Sequence, residues 1–214
     1  MRFRNREEAG RTLVSKLHRY AGRDDTLVLA LPRGGVPVAF QVARALDAAL
    51  DVVLVRKLGV PGHEEIAMGA IAAGGTTVLN QDAIVGFGVT RHKLMEVVAR
   101  QQQELERQRR LYRAGPPPAV QDKTVIVVDD GLATGATMRV AVRVLRRAGA
   151  ERIVVAVPVA SPQACEALRT EADAIVYAHM PEGLVAIGEV YDDFSPTTDE
   201  EVRDLLSAAR LCVA

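Results

Sequence analysis

A chain of 214 residues, 49% of them hydrophobic, carries enough apolar material for one sizeable core, and its 27 lysines plus arginines balance 27 aspartates plus glutamates. Zero net charge argues against a surface that grips nucleic acid non-specifically, and no apolar run approaches the ~20 residues needed to cross a bilayer. The two cysteines, Cys165 and Cys212, have neither metal-ligand spacing nor a disulfide framework, and the opening Met1-Arg2-Phe3-Arg4-Asn5-Arg6 is too charged for a signal peptide, so a cytoplasmic setting is expected.

In chain order, Asn5 with Glu8 has the spacing of a capping box, and Leu13, Val14, Leu17 and Tyr20 follow helical periodicity, predicting a first helix that ends before Gly22. Thr26–Leu31 reads as a short buried strand, Pro32-Arg33-Gly34-Gly35 as a turn, Val38–Leu46 as a helix, and Asp51–Val55 as a second strand that ends at Arg56-Lys57. Leu58–Ala73 looks irregular around Gly59, Pro61 and Gly62, with a polar tip at His63-Glu64-Glu65; Ala67–Ala72 and Thr76–Leu79 have the pattern of a hairpin across Gly74-Gly75. A long arginine-rich helix is expected from about Thr90 to Arg113, ended by Pro116-Pro117-Pro118. Thr124–Val128 should be a buried strand, Ala136–Ala148 a helix, Arg152–Val157 a strand, and Ser161-Pro162 the start of another helix. Asp173–Tyr177 and Leu184–Val190 read as strands, and Thr198 with Glu201 should cap a last helix running to about Leu211. Strands alternating with helices imply an α/β fold: an open, mainly parallel twisted sheet with helices on both faces, carrying an inserted hairpin and long helix.

The stretch with the most chemistry is Thr124–Thr137. Its strand of branched residues ends in two adjacent carboxylates, Asp129 and Asp130, and a Gly- and Thr-rich turn leads into a helix. Such a turn aims backbone N–H groups and a positive helix end at one point, which suits a phosphate, while paired acids suit vicinal hydroxyls or a hydrated magnesium ion. Together they suggest a ribose phosphate. The segment resembles the phosphoribosyl-pyrophosphate (PRPP) motif of the type I phosphoribosyltransferases. The resemblance covers about residues 26–62 and 122–178 and is loose at the C-terminal end.

That resemblance implies roles for particular residues. Ala133, Thr134, Gly135, Ala136 and Thr137 would cradle the 5′-phosphate; Asp129 and Asp130 would hold the ribose hydroxyls and magnesium, partly through water. Arg33, Gly34 and Gly35 would form the pyrophosphate loop, with a cis peptide joining Pro32 to Arg33, and Arg56-Lys57 would face pyrophosphate as in adenine-type members. The catalytic set would be Asp129, Asp130, Arg33, Arg56 and Lys57. Ala133 stands where enzymes for 6-oxopurines carry an aspartate, which makes such a substrate a poorer fit. Tyr191, Asp192 and Phe194 loosely match the segment flanking the base and are candidates for acceptor binding, although a strand end followed by an acidic helix start explains them equally well.

Residues 1–214 are expected to form a single domain with an insertion or lid at about 58–121. Surface solvation is the plainer role for Glu64 and Glu65, and a solvated face laced by ion pairs the plainer one for the arginine-rich helix. Cys165 should be packed rather than reactive. Two functions are then weighed. One is a magnesium-dependent transfer of the phosphoribosyl group from PRPP to a nucleobase or other nitrogen acceptor, releasing pyrophosphate. The other is a PRPP- or nucleotide-sensing regulator on the same fold that touches nucleic acid through the arginine-rich helix. Dimers are common in the family, so a homodimer is a candidate assembly.

Overall fold

The computed structural model describes residues 1–73, 75–113 and 115–212, the side chains of Glu65 and Cys212 excepted. In chain order its elements are α1 (Arg6–Val14), β1 (Thr26–Ala30), α2 (Gly35–Leu46), β2 (Ala49–Val52), β3 (Val55–Val60), β4 (His63–Ala72), β5 (Thr77–Leu79) and α3 (Gln81–Gly86). They continue with α4 (Arg91–Tyr112), β6 (Thr124–Val128), α5 (Ala136–Arg147), β7 (Arg152–Val159), α6 (Pro162–Leu168), β8 (Ala174–His179) and α7 (Asp199–Cys212). Among the described residues no helix is long and apolar enough to cross a membrane.

The central sheet has the order β2-β1-β6-β7-β8, with every neighbouring pair parallel. Its inner strands are apolar on both sides because helices cover both faces. Val28 and Ala30 of β1 and Ile126 and Val128 of β6 join the core shared with α1, α2 and α7. Leu27 and Leu29, with Val125 and Val127, face the opposite core under α5 and α6. The side-chain period of two thus sends consecutive residues of one strand into two different cores.

A second, antiparallel sheet, β3-β4-β5, grows out of the first where β2 ends. This corrects the expected second strand. It runs Ala49–Val52, and Arg56-Lys57 do not end it; they lie near the start of β3 and pair with Ile71 and Ala70 of β4. The run Val52–Val55 is apolar throughout, so periodicity had no way to mark the break between the two strands. The polar stretch His63-Glu64-Glu65, expected as a loop tip, opens β4 instead, and the register shifts around Gly59, where a Cβ would lie 2.7 Å from the Glu64 carbonyl oxygen. The expected β4–β5 pairing is present, with Ala70 opposite Val78, while Gly74 of the proposed turn falls outside the described residues.

Three other boundaries differ. The first helix stops at Val14, and a separate 3₁₀ turn, His18–Tyr20, carries Tyr20, with Leu17 just before it. The Asn5 side chain does accept from the Glu8 N–H (3.0 Å), but the Glu8 carboxylate accepts from the N–H of Arg4 rather than Asn5. Leu184–Val190 contains no strand; Ile187–Val190 is a 3₁₀ turn. The short helix α3 lies where the sequence predicts no element, being too brief to show a period. The long helix matches its prediction closely, with Thr90 Oγ1 accepting from Lys93 N–H at its start.

At its far end α4 is anchored by Arg113, whose side chain is 4% exposed and sits 3.1 Å from Asp51, 17% exposed; its Nη2 also donates to the Val52 carbonyl at 2.6 Å. Removing one partner of such a pair strands the other charge. Arg113→Met should lower stability by about 3 kcal/mol, read as a shift of the urea midpoint.

Candidate active site

In an open α/β sheet the crevice lies beyond the carboxyl ends of the strands, where the strand order reverses. Here that point lies between β1 and β6. The chain after β1 is Leu31-Pro32-Arg33-Gly34, and the Pro32–Arg33 peptide is cis. The chain after β6 is Asp129-Asp130-Gly131. Gly34 and Gly35 begin α2 against these acids: a Cβ on Gly34 would stand 2.1 Å from Asp130 Oδ2, and one on Gly35 2.9 Å from the Asp129 Cα. The two loops therefore pack directly on each other, and only residues without side chains allow it.

The loop from Gly131 to Gly135 is held at both ends. Leu132 N–H donates to the Val159 carbonyl, and the Ser161 hydroxyl donates to the Ala133 carbonyl at 2.6 Å while accepting from Ala164 N–H to cap α6. Gly135 has φ 72°, the left-handed turn that a glycine adopts at little cost, and it starts α5 with no side-chain cap. Thr134, Ala136 and Thr137 are exposed there. The Ala136 N–H makes only a long bond to Thr134 Oγ1 (3.5 Å), so the first-turn N–H groups, beside two threonine hydroxyls, can serve an anion.

Asp130 is not a free carboxylate. Its Oδ2 accepts from Arg6 Nε at 2.8 Å, the two side chains being 16% and 11% exposed. Arg6 also donates to the Ser195 carbonyl and lies over the Phe194 ring at 4.0 Å. The Asp130 carbonyl accepts from the Tyr191 hydroxyl at 2.7 Å. Asp129 turns its Oδ1 to the Asp130 N–H at 2.9 Å. Burial, and next the neighbouring Asp130 charge, push the Asp129 carboxyl well above the usual carboxylate range.

On the other side of Pro32 a cavity of about 450 Å³ opens, lined by Leu31, Pro32, Arg56, Lys57, Arg100 and Thr137 among others. The first residues of β3 bring Arg56 and Lys57 there, and α4 closes the far wall. Arg56 Nη2 pairs with Glu104 at 2.9 Å, while its Nε is buried without a partner. Glu64 also lines this space, its carboxyl held below the usual range by backbone N–H groups of its own residue and Gly62. Arg33 turns another way: half-exposed, it stands 3.9 Å from Asp199 at the start of α7.

Asp199 also accepts from the Tyr112 hydroxyl. Burial, with that hydrogen bond second, pushes the Tyr112 phenol from 10.0 up to about 12. A phenol harder to ionise in the folded state adds stability that is fully present below its unfolded pKa and is lost as pH rises through the folded one. Stability should therefore fall between pH 10.0 and about 12, and Tyr112→Phe should remove that component. Denaturant titrations of both proteins across this window measure it.

Of the expected acceptor residues, Tyr191 and Phe194 lie beside Asp130 and Arg6, but not as an open platform. Tyr191 is 2% exposed, packed between Phe3 (5.7 Å) and Phe194 (5.1 Å), with its hydroxyl committed to Asp130. Asp192 pairs with Arg2 at 2.5 Å. Phe194 lies under the Arg6 guanidinium. Tyr191 and Phe194 thus buttress the acid loop, directly and through Arg6, while Asp192 points to the surface. The arginine-rich helix is largely self-paired: Arg107 binds Glu104, and Arg109 and Arg110 both bind Glu106. Cys165 is half-buried, its thiol pushed up by burial, and Glu65 and Cys212 fall outside the described side chains. Among the described residues no group of three or more metal-ligating side chains gathers.

Sequence reasoning missed Arg6 and Ile187, whose side chain fills the space over Gly131, and read Ser161 as a helix cap without its bond to the Ala133 carbonyl. Arg6 left one clue. It is the first residue of α1, where a cation opposes the helix dipole, so a distant anion was to be expected.

Comparison with known proteins agrees with this geometry. The phosphoribosyl transferase domain profile matches residues 2–178. Two Mycobacterium tuberculosis proteins, from strains CDC 1551 and H37Rv, both named "Putative phosphoribosyl transferase", are 40% identical over 208 residues, 97% of this chain. The chain spans about half (47%) of the length of these relatives. The crystal structure of TT1426 from Thermus thermophilus superposes with a TM-score of 0.85 at 45% identity, covering 96% of this chain and 98% of that one. The AQ2163 protein of Aquifex aeolicus, at 14% identity and a TM-score of 0.52, covering 95% of this chain and 85% of its own, shares the fold. With loops of this kind meeting at the strand-order reversal and the domain profile running through both, the chain belongs to the phosphoribosyl transferase domain family.

Proposed function

We propose that the protein transfers the 5-phosphoribosyl group of PRPP to a nitrogen acceptor and releases pyrophosphate. The observation that carries the reading is the meeting, at one crevice, of an acid pair after β6, an exposed phosphate-type turn at the start of α5, and a cation-lined cavity behind Pro32. The 5′-phosphate sits on Ala133, Thr134, Gly135, Ala136 and Thr137. Asp129 and Asp130 face the ribose hydroxyls. Pyrophosphate lies along the loop of Arg33, Gly34 and Gly35 and in the cavity with Arg56 and Lys57.

As the bond from C1 to pyrophosphate breaks, positive charge grows on the sugar and negative charge on the leaving group. The acceptor nitrogen forms the new bond to C1 from the opposite face and then loses its proton. Arg56, Lys57 and loop N–H groups stabilise the departing anion, the kind of preorganised electrostatics that lowers such barriers most. The acids orient the sugar and favour its positive charge.

Asp129 and Asp130, with no third metal-ligating side chain gathered about them among the described residues, would hold a magnesium ion partly through water rather than in an all-protein cage. When bound, the ion neutralises pyrophosphate charge. The 58–121 segment acts as wall and lid of the single unit formed by residues 1–214, and a cytoplasmic homodimer is in keeping with the family. The internal pairing of Arg107, Arg109 and Arg110 weighs against the nucleic-acid-binding regulator. The test is pyrophosphate release from PRPP offered with a panel of nucleobases and amines. Release with at least one acceptor is expected; PRPP binding with no release from any acceptor sinks the reading.

A further inference from the structure

The family pattern accounts for Arg56 but not for the helix above it. Along α4, Arg100, Gln101, Glu104 and Gln108 recur at three- and four-residue spacing and so share one face. Arg100, Gln101 and Gln108 line the cavity of Arg56 and Lys57, and Glu104 bonds Arg56 itself. A helix with a merely solvated polar face would not turn a cation, two amides and a carboxylate onto the cations at the start of β3.

The Arg56 contact has an unfinished geometry. A guanidinium binds an oxyanion best along its Nε–Nη edge with two parallel hydrogen bonds. Glu104 uses only Nη2, at 2.9 Å, and leaves the buried Nε without a partner. Nor does Glu104 depend on Arg56. Its two oxygens also accept from Arg107 Nη2 and Nε, at 2.8 and 2.9 Å, and the Arg107 hydrogen bond is the main reason its carboxyl lies below the usual range. Leaving Arg56 would therefore cost Glu104 one contact of three, whereas an arriving phosphate oxygen pair would complete the Arg56 edge.

We propose that Glu104 is an internal stand-in for the anion on Arg56, displaced when the ligand's pyrophosphate group enters, and that Arg100 of the same inserted helix is a further ligand of that group. The inference rests on the proposed function, since it takes the cavity to hold pyrophosphate. It assigns to α4 a direct part in binding the leaving group, beyond covering the crevice.

The experiment is calorimetric titration with inorganic pyrophosphate at fixed ionic strength, on wild-type protein, Glu104→Ala, Glu104→Gln and Arg100→Gln. Removing the competing carboxylate should tighten binding about fivefold in Glu104→Ala, with Glu104→Gln between it and wild type. Loss of the charge-assisted contact in Arg100→Gln should weaken binding about tenfold. Glu104 and Arg100 both lie on one exposed to half-buried helix face, so the four proteins should share a circular dichroism spectrum. Wild-type binding that neither Glu104→Ala nor Arg100→Gln changes, or weaker binding in Glu104→Ala, overturns this inference alone. A wild-type protein that binds no pyrophosphate overturns it together with the reading beneath it.

Discussion

Asp130→Asn should lower pyrophosphate release from PRPP by at least about tenfold, equivalent to about 1.4 kcal/mol of transition-state stabilisation, while leaving the fold intact. The asparagine keeps the shape of Asp130, and its side-chain oxygen can still accept from Arg6 Nε, so the tie across the crevice survives. The Tyr191 hydrogen bond goes to the backbone carbonyl and is untouched by the change. What disappears is the negative charge that the proposed mechanism places beside a sugar acquiring positive charge. Steady-state release assays with the acceptor used by the wild type measure it, and the KM for PRPP separates binding from turnover. Equal turnover in the variant removes Asp130 from the reaction.

Gly34→Ala should be more damaging still, with activity falling about 100-fold and stability by about 2 kcal/mol. The added Cβ would sit 2.1 Å from Asp130 Oδ2, 2.8 Å from its Cγ and 3.2 Å from Arg6 Nε. Asp130 has nowhere to retreat, being held by Arg6 on its carboxylate and Tyr191 on its carbonyl. The loop after β1 must move instead, and with it Pro32 at the mouth of the cavity. Gly22→Ala is the matching control. Its φ of +66° makes alanine strained, by about 1 kcal/mol, but nothing lies within 4 Å and the site is remote, so activity should hold. Release assays and urea midpoints on the two variants separate crowding at the crevice from backbone strain; a fully active Gly34→Ala would mean that the two loops do not need their present contact.

The parallel sheet and its flanking helices were legible because their signals are local. Four branched aliphatic residues from Val125 to Val128, turn residues after each strand, and caps such as Thr90 and Ser161 specify structure within a few positions. The same holds for the phosphate turn and the acid pair, whose residue types sit together in one stretch. The split between β2 and β3 was not legible, because Val52–Val55 is apolar on both sides of the break and no punctuation marks it. Nor was the role of Tyr191 and Phe194: an aromatic residue near a site reads as a stacking surface until its burial is known. Tyr191, 2% exposed and bonded to the Asp130 carbonyl, serves the loop from behind.

Read alone, the chain specifies the fold class, the placing of the acids and glycines at strand ends, and the family to which it belongs, because each rests on periodicity or on a contiguous motif. Which charges meet is settled in three dimensions. Arg6 pairs with Asp130 across 124 positions of chain, Arg56 with Glu104 on an inserted helix, and Arg113 with Asp51. A charged side chain carries no mark of its partner in its own neighbourhood. The partner is chosen when helix and sheet packing brings the two together, for Arg6–Asp130 and Arg113–Asp51 in a space with too little water to solvate them apart, so this part of the site is written in the packing of the whole chain.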